Sequence, residues 1–304
     1  MHATPITEAT IRQLLADAMP RQAQHVREIT FPAGGYSKVA ARVTFTDAPP
    51  IIVAARSRMR HIKDFTFAAR VAEIFARHGI PVPRIITPPT RLGDTDIYYY
   101  IQSFEPGRHV LYPSLAQLRE VGSYIGRIHT IALSDAECDM LTPHLSESRS
   151  FDYRRMAKLE LPMGLVHGDL FPANLLFDET SGHLSAFLDM DEAEYIYLLK
   201  DLVKAIYGLC VTSADLTLDP TKVQALLAGY RSHRQLTRRE IDSFFPILRT
   251  FAERLPGRYI ASTGKADMFA DPSHPPFIRS VPQRSAAILA QLENLTPEAL
   301  LQIS

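Results

Sequence analysis

The chain has 304 residues, of which 46% are hydrophobic and 22% charged, and its formal net charge at pH 7 is zero. This composition is typical of a globular protein that buries one large core or two modest ones. No basic run with interleaved aromatic residues indicates a nucleic-acid surface, and no apolar run reaches the roughly 18 residues that a membrane span needs. Cys138 and Cys210 are widely spaced and the N-terminal residues lack a signal-peptide core, so we expect a cytoplasmic protein with reduced cysteines.

The first part of the chain is predicted to fold as a helix followed by strands. Apolar residues recur at helical spacing over residues 8–19, which indicates an N-terminal helix. Residues 24–31, 36–47 and 51–57 are predicted as strands, and the second of them alternates apolar and polar residues as a half-buried strand does. A further strand is predicted over the apolar and aromatic residues 97–104.

The connections and ends of these strands carry candidate contacts to phosphate. Gly34 and Gly35 lack a Cβ, so their backbone N–H groups can approach phosphate oxygens, although a plain hairpin turn is the alternative. The third strand contains Val53-Ala-Ala-Arg56, where protein kinases carry Val-Ala-Ile-Lys. Because a guanidinium can bridge phosphates, we predict this role for Arg56, with Arg58 on the same strand face as its rival.

The next helix is predicted over residues 60–79, where apolar residues cluster on one face and Gly79 and Pro81 mark the end. In chain order it takes the place of the kinase helix whose acidic residue pairs with the strand cation. Asp64 and Glu73 are both candidates for that pair, and the choice between them stays open.

Residues 165–201 are the most informative stretch of the chain. They contain His167-Gly-Asp-Leu-Phe-Pro-Ala-Asn174, then apolar residues, a polar turn, and further apolar residues that end at Asp189. This pattern predicts a strand, a turn and a returning strand. Because a hairpin brings its two ends together, we expect Asn174 and Asp189 to lie side by side, with Asp169 just upstream.

These residue types suit phosphoryl transfer from a nucleotide. An aspartate accepts the proton of an attacking hydroxyl, and an asparagine and a second aspartate hold magnesium ions that bridge the phosphates. We therefore assign Asp169 as the catalytic base and Asn174 and Asp189 as magnesium ligands, while His167 is predicted to hold the loop by hydrogen bonds. The alternative is an ordinary loop in which Asp169 and Asn174 form turns.

The remainder of the chain is predicted to be mainly helical. Two capping boxes, Ser114-x-x-Gln117 and Thr237-x-x-Glu240, mark helix starts. The Pro-rich residues 265–282 are predicted to wrap the surface. The helices are predicted over residues 115–129, 195–212, 221–233, 238–262 and 283–295.

The motif His167–Asn174, together with Leu188-Asp189 and Lys200-Asp201-Leu202, resembles the aminoglycoside phosphotransferase/choline kinase superfamily. Residues 161–174 and 225–237 are most similar to its homoserine kinase branch. The resemblance implies an α+β, protein-kinase-like two-lobe fold, with a small antiparallel sheet and one main helix in the N-lobe and a larger, mostly helical C-lobe.

With Pro106-Gly107 as the boundary signal, we place the nucleotide-binding N-lobe at residues 1–104. Residues 105–304 then form the C-lobe, with the catalytic loop and the substrate site. The resemblance also implies that Asp201 anchors the catalytic loop, and that hinge backbone groups bind adenine. The implied nucleotide contacts are Gly34, Gly35, Ser37, Arg56, Ser103 and Glu105.

The resemblance to homoserine kinases makes homoserine the first candidate acceptor. Asp191, Glu192 and Glu194 offer acids for the amino group of an amino alcohol, and Arg254 or Arg258 offers a cation for a carboxylate. Choline, ethanolamine, aminoglycosides and sugars are alternative acceptors, for which the two arginines would be structural.

A nucleotide-binding pseudokinase is a further alternative, since Arg56 replaces the usual lysine and Met190 stands where Phe or Trp is more usual. Retention of Asp169, Asn174 and Asp189 together favours an active enzyme. We expect ATP and Mg²⁺ as cofactors, a small-molecule hydroxyl substrate, and neither nucleic acid nor membrane as a partner; a homodimer is left open.

Overall fold

The computed structural model describes residues 5–31, 38–57, 63–137, 159–265 and 267–301 of the chain. Its N-terminal lobe is built on an antiparallel sheet that follows helices α1 (Glu8–Ala18) and α2 (Pro20–Ala23). The strands are β1 (Val26–Thr30), β2 (Val39–Phe45), β3 (Ile51–Ser57), β4 (Ile85–Arg91) and β5 (Ile97–Ser103), in the spatial order β1-β2-β3-β5-β4. Helix α3 (Lys63–Arg77) connects β3 to β4. The N-terminal helix, the four predicted strands and the following helix are thus confirmed.

Helix α1 shows how the sequence fixes this lobe. Its start is a capping box between Thr7 and Thr10, which satisfies backbone N–H groups that a helix end leaves without partners. Its apolar residues Ile11, Leu14 and Leu15 are completely buried and belong to the same apolar cluster as the inner face of β2 and β3. Each such side chain contributes roughly 2 kcal/mol when it leaves water, so the helix holds one face of the sheet.

Strand β4 is an element of the N-terminal sheet that the sequence does not predict. Pro88 and Pro89 interrupt it, and proline has no N–H to donate to a neighbouring strand. The structure accommodates both prolines because β4 lies at the edge of the sheet, where its register with β5 shifts between Thr87 and Thr90. An edge position needs hydrogen bonds on one side only.

The second lobe is mostly helical and carries two small antiparallel strand pairs. Strand β6 (Met163–Val166) pairs with β9 (Glu194–Tyr197), and β7 (Leu175–Phe177) pairs with β8 (Leu184–Phe187) as the predicted hairpin. No helix within the described ranges is long and apolar enough to cross a membrane. The helices are α4 (Leu115–Ile128), α5 (Leu199–Leu209), α6 (Pro220–Arg231), α7 (Arg238–Thr263), α8 (Pro276–Arg279), α9 (Val281–Gln291) and α10 (Pro297–Leu301).

Helices α4 and α6 approach each other through glycines. A Cβ on Gly122 of α4 would lie 1.9 Å from the carbonyl oxygen of Leu226. A Cβ on Gly229 of α6 would lie 1.8 Å from the carbonyl oxygen of Arg119. Both distances are far inside van der Waals contact, so the two backbones can pack this closely only where the side chain is absent.

Both predicted capping boxes are present, at Ser114 and Thr237, and the helices that follow them are confirmed. The helix predicted over residues 195–212 starts too early, however. Glu194–Tyr197 is strand β9, and α5 begins only at Leu199. A short apolar run does not distinguish a strand from the start of a helix, and here pairing with β6 decides.

The prediction that residues 265–282 wrap the surface is wrong. Met268 and Phe277 are buried in the main apolar core, and so are Ile278 and Val281 at the start of α9. The segment is rich in proline and polar residues, but its few apolar residues are enough to dock it. Composition alone therefore gives the wrong placement for this segment.

Two sets of backbone hydrogen bonds join the sheet lobe to the catalytic hairpin. The amide of Arg108, just after the hinge, donates to the carbonyl of Phe177 at 2.9 Å, and the amide of Phe177 donates back at 3.0 Å. On the returning strand, the amide of Phe187 donates to the carbonyl of Pro81 at 2.8 Å. The hairpin that carries Asn174 and Asp189 is thus fixed against both the hinge and the segment between α3 and β4.

Candidate active site

The catalytic loop rests on a buried carboxylate from helix α5. Asp201 Oδ2 accepts the amide of His167 at 2.8 Å, and Oδ1 accepts the amide of Gly168 at 2.7 Å. His129 Nε2 lies 3.4 Å from Oδ2. Burial alone would raise the pKa of Asp201, but the hydrogen bonds and charges of His129 and the loop outweigh it and hold the pKa below its ordinary value. Asp201 is thus an ionised anchor beneath the loop.

The imidazole of His167 is completely buried and ties the loop to the end of the hairpin. Its Nδ1 accepts the amide of Asp169 at 3.2 Å, so Nε2 carries the hydrogen and donates to the carbonyl of Leu188 at 2.9 Å. Burial lowers the pKa of His167, which favours the neutral ring. Both ring nitrogens are engaged with backbone, so the geometry suits a holding role rather than proton transfer.

Gly168 lets the loop lie directly on the turn after Asp189. Its φ is +80°, in the left-handed region that L-residues with a side chain rarely adopt. A Cβ at this position would lie 1.8 Å from the carbonyl oxygen of Glu192. Conformation and space therefore both require glycine here.

Asp169 is held by a donor on each carboxylate oxygen. Asn174 Nδ2 donates to Oδ2 at 2.7 Å, and Lys204 Nζ of helix α5 donates to Oδ1 at 3.1 Å. The Asp169 side chain keeps 27% of its surface exposed, whereas that of Lys204 keeps 6%. The carboxylate is therefore fixed in direction and still reachable by a hydroxyl group. Sequence reasoning missed Lys204, which resembles any other lysine on a helix.

The hairpin brings Asn174 and Asp189 together at its open end. The amide of Leu188 donates to the carbonyl of Asn174 at 2.9 Å. Asn174 donates its Nδ2 hydrogens to Asp169, so its side-chain amide oxygen is the atom that can bind a cation. Asp189 adopts a left-handed backbone with φ of +61° and keeps 36% of its side chain exposed. Oxygen donors therefore converge from both strand ends.

The cation beside Asp189 comes from an unexpected place. Lys38, immediately before β2, donates to Asp189 Oδ1 at 2.7 Å, to Asp191 Oδ1 at 2.9 Å and to the Tyr100 hydroxyl at 3.1 Å. Burial alone would lower the pKa of Lys38, but the surrounding oxygens outweigh it and hold the pKa well above the usual range. Arg56 lies near Asp191, with Nη2 at 3.7 Å from Oδ2. No pattern in the sequence singled out Lys38.

The two acids of this cluster differ in their surroundings. Burial raises the pKa of both, but Lys38 outweighs burial at Asp189 and holds that pKa below its usual value. At Asp191 burial and the charge of Asp189 together outweigh the effect of Lys38, so the pKa of Asp191 is raised. Asp191 Oδ2 is also buried without a hydrogen-bond partner within the described residues. Asp189 therefore has the lower pKa of the two acids.

The donor set fits magnesium rather than a softer metal. Asn174 and Asp189 offer hard oxygen atoms, which Mg²⁺ prefers, and Mg²⁺ commonly takes its remaining ligands from substrate phosphates and water. Within the described ranges, no group of three or more His, Cys, Asp or Glu residues could hold a metal on its own. A site made of two protein oxygens is what a nucleotide-bound magnesium ion needs.

The model of the phosphotransferase enzyme family matches residues 28–154 and 148–236, which is more than half of the chain. The chain belongs to this family. A homoserine kinase from Pseudomonas aeruginosa strain UCBPP-PA14 is 27% identical in an alignment 224 residues long that covers 64% of this chain and 68% of that protein. Another homoserine kinase, from Methylobacillus flagellatus, is 34% identical over 140 residues, 44% of this chain and 41% of that protein.

Solved structures share the fold of this phosphotransferase at low sequence identity. The Plasmodium vivax ethanolamine kinase superposes with a TM-score of 0.63 at 12% identity, covering 92% of this chain and 87% of that one. Amicoumacin kinase hAmiN, solved with AMP-PNP, Ca²⁺ and Ami, gives a TM-score of 0.61 at 15% identity, covering 97% and 93%. The kinase-like two-lobe fold implied by the sequence motif is thus confirmed.

Several predicted nucleotide contacts of the phosphotransferase cannot be placed. Gly34, Gly35 and Ser37 lie outside the described residues, as does Arg58, the rival of Arg56. Of the two acids predicted to pair with Arg56, Glu73 is exposed on α3, and the side chain of Asp64 is not described.

At the predicted hinge, the amide and the hydroxyl of Ser103 have hydrogen-bond partners within the protein. Its amide donates to the carbonyl of Arg84 at 2.9 Å, and its hydroxyl accepts the amide of Arg84 at 2.8 Å and donates to the Glu105 carboxylate. The amide of Ser103 is therefore occupied within the protein and not free for adenine. The sequence could not foretell this, because it did not predict β4, which Arg84 immediately precedes.

The predicted acceptor residues differ in burial and in their ion pairs. Asp191 contacts Lys38, as described above, whereas Glu194 pairs with Lys200 Nζ at 2.9 Å. Glu192 is exposed after the metal-site turn, Arg254 is half-buried on α7, and Arg258 on the same helix is exposed. Of the three acids, only Asp191 lies against the residues of the metal site.

Proposed function

We propose that this phosphotransferase transfers the γ-phosphate of ATP to the hydroxyl of a small amino alcohol, with homoserine as the leading candidate. The observation that carries the proposal is the arrangement of Asp169 between Asn174 and Lys204, at the open end of the hairpin that also bears Asp189. A fixed carboxylate next to hard oxygen ligands is what transfer of a phosphoryl group to an alcohol requires.

Asp169 is assigned as the base that orients the acceptor hydroxyl and takes its proton. Donors from Asn174 and Lys204 restrict its direction, and its exposed fraction of 27% leaves lone pairs for the acceptor. Positioning and proton transfer by such a group contribute about 10²- to 10⁴-fold to the rate. His167 and Asp201 keep the loop backbone in place and do not touch the reacting groups.

Asn174 and Asp189 are assigned as the residues that hold Mg²⁺. When bound, the ion would neutralise charge on the nucleotide phosphates and fix their orientation. The glycine loop with Gly34, Gly35 and Ser37 is proposed to contact phosphate, and the backbone at Glu105 is the remaining proposed hinge contact to adenine. The family membership and the AMP-PNP complex of hAmiN support ATP as the donor.

The acceptor class is proposed from similarity. A homoserine kinase from Pseudomonas aeruginosa is similar to this chain over 68% of its length, and the fold neighbours include an ethanolamine kinase and a microcompartment-associated aminopropanol kinase. All three names describe small alcohols that carry an amino group. In this protein Asp191 and Glu192 remain candidates for the amino group, and Arg254 and Arg258 remain candidates for a carboxylate. Glu194 is a weaker candidate because Lys200 already neutralises it.

An acceptor panel tests the proposal. ADP release should be measured with ATP, Mg²⁺ and, separately, homoserine, ethanolamine, choline, aminoglycosides and simple sugars, with the Asp169→Asn variant as the blank for each acceptor. We expect turnover above the blank with homoserine or another amino alcohol. Turnover with sugars alone would contradict the amino-alcohol acceptor, and AMP-PNP binding without turnover on any acceptor would favour the pseudokinase alternative.

A further inference from the structure

We propose that Lys38, delivered by the segment that enters β2, is the main protein cation on the nucleotide phosphates. The sequence predicted that role for Arg56 on β3. This inference rests on the proposed function, because it names a residue of the same nucleotide site. It also changes which strand supplies the charge.

Lys38 is the best-placed cation for this role among the described residues. Its side chain keeps only 12% of its surface exposed, and Nζ lies 2.7 Å from Asp189 Oδ1, the proposed metal ligand. It contacts Asp191 and the Tyr100 hydroxyl as well, at 2.9 and 3.1 Å. The chain positions 38 and 189 are 151 residues apart, so this contact ties the sheet lobe to the metal site.

Arg56 lies next to Asp191, on the side of that residue away from the contact between Lys38 and Asp191 Oδ1. Its Nη2 lies 3.7 Å from Asp191 Oδ2, beyond hydrogen-bond distance, and its guanidinium carbon lies 5.6 Å from the centroid of the Phe65 ring. Stacking on an aromatic face stabilises a guanidinium in place. These two contacts hold Arg56 toward Asp191 and Phe65.

The strand register explains why the two cations can exchange roles. Strands β2 and β3 are antiparallel, with Val39 paired to Ala55. Continuing that register by one residue places Lys38 opposite Arg56. Residues directly opposite on neighbouring strands have Cβ atoms about 5 Å apart on one face of the sheet. A cation at either position therefore points from nearly the same place toward the metal site.

Asp191 makes this pair of like charges tolerable. Two cations opposite each other on adjacent strands repel, unless an anion lies between them. Asp191 accepts Lys38 through Oδ1 and faces Arg56 through Oδ2, and only 14% of its side chain is exposed. This division leaves Lys38 directed toward Asp189 and Arg56 directed toward Asp191.

A phosphate oxygen is the acceptor that would replace Asp189 as a hydrogen-bond partner of Lys38. An ammonium group has three N–H donors, and all three are engaged here, with Asp189, Asp191 and Tyr100. If Asp189 were to hold a Mg²⁺ ion, the Lys38 donor that it occupies would become available to another anion. A nucleotide phosphate bound beside Asp189 would then accept that donor.

Nucleotide binding measured by calorimetry tests the inference directly. The variants are Lys38→Met and Arg56→Met, with Arg12→Met as a control that removes an exposed cation of α1 in the same lobe. Each is titrated with AMP-PNP in the presence of Mg²⁺ and, separately, with adenosine. We expect Lys38→Met to weaken AMP-PNP about 10- to 100-fold, as loss of a charge-assisted hydrogen bond does. Adenosine should bind within about twofold of wild type, and Arg56→Met should have the smaller effect on AMP-PNP.

A purely structural role for Lys38 would act by neutralising two acids. Lys38→Met leaves Asp189 and Asp191 facing each other, and this variant could lose stability for that reason alone. The double variant Lys38→Met/Asp191→Asn removes that repulsion, so it is compared with Asp191→Asn. If Lys38 contacts phosphate, AMP-PNP stays weaker in the double variant by the same 10- to 100-fold; if the role is structural, the two affinities coincide and the inference fails.

The outcomes separate this inference from the proposed function. Wild-type protein that does not bind AMP-PNP would overturn both. Wild-type binding that Lys38→Met leaves unchanged would overturn only the role of Lys38, and a larger loss in Arg56→Met than in Lys38→Met would return the role to β3.

Discussion

The catalytic loop and the cation cluster face each other in one site, but they are built in different ways. In the loop, residues 167–174, the key contacts join residues that are close in sequence, such as Asp169 with Asn174, five positions apart. In the cation cluster, formed by Lys38, Arg56, Tyr100 and Asp191, the contacts join residues from different lobes, such as Lys38 with Asp191, 153 positions apart. Spacing within a motif encodes the first kind of contact, whereas the packing of two lobes decides the second.

Because their contacts differ in kind, we expect substitutions in the loop and in the cation cluster to have effects of different size. The loop is fixed by backbone groups, with Asp201 and His167 as the connecting side chains, so a change there should disturb many contacts at once. The cation cluster is made of side chains alone, and two cations reach it from neighbouring strands. The cation cluster should therefore tolerate the loss of one side-chain contact better than the loop does. The variants below are arranged from the largest expected effect to the smallest.

The largest effect is expected at the loop carboxylate. Asp169→Asn keeps the size of the side chain and an acceptor for Asn174 or Lys204, but it removes the base. We expect kcat to fall by about 10²- to 10⁴-fold, with AMP-PNP affinity close to wild type. Steady-state ADP release and calorimetry measure the two quantities. Asp242→Asn, which removes an exposed carboxylate on α7, is the matched control, and wild-type turnover in Asp169→Asn would exclude Asp169 as the base.

The second test concerns the backbone of the loop. Gly168→Ala places a Cβ 1.8 Å from the carbonyl oxygen of Glu192, whereas Gly182→Ala meets no atom within 4 Å, although both glycines have positive φ. The left-handed conformation costs alanine about 1–2 kcal/mol at either site. We expect Gly168→Ala to lower the free energy of unfolding by roughly 3 kcal/mol or more, because the clash adds to that cost. Urea unfolding of both variants gives the comparison, and equal losses would show that the loop does not rest on the turn at Glu192.

Much of the loop could be foreseen because its residues were predicted as one unit. The motif from His167 to Asn174 implied a hairpin, and the hairpin implied that Asp189 would lie beside Asn174. Long-range pairing supplies much of what the sequence missed. Strand β4 forms despite Pro88 and Pro89 because it lies at the sheet edge, and only then is the Ser103 amide occupied by Arg84. Lys38 follows the same rule, since a lysine before a strand carries no signal until β2 is set beside β3.

Acid pH should weaken the anchor of the loop. The pKa of Asp201 is below its ordinary value in the folded protein, so its contribution to stability is present above the unfolded pKa, about 3.9. It is lost as pH falls through the lower folded value. Asp201→Asn abolishes this titration and should cost about 2 kcal/mol at pH 7, because a buried charged acceptor of two amides is replaced.

Urea unfolding of wild type and Asp201→Asn from pH 7 to pH 3 measures this contribution. The gap in stability between the two proteins should be constant above about pH 5 and should narrow toward pH 3. A gap that does not change with pH would mean that the carboxylate charge of Asp201 contributes nothing to the loop.

The smallest effect is expected at Lys204, the cation that contacts the loop from α5. Its Nζ donates to Asp169 Oδ1 at 3.1 Å, and its side chain is only 6% exposed. Lys204→Met removes one of the two donors that orient the base, while Asn174 keeps the other. We therefore expect kcat to fall about tenfold, with AMP-PNP affinity unchanged, since Lys204 does not contact the metal-site acids.

Lys200→Met is the matched control, because Lys200 lies one turn earlier on the same helix, is similarly buried and pairs with Glu194 instead. If both methionine variants lower kcat equally, the effect belongs to the helix and not to the contact with Asp169. If Lys204→Met weakens AMP-PNP as much as Lys38→Met does, the loop and the cation cluster are one electrostatic unit, and the distinction between them fails.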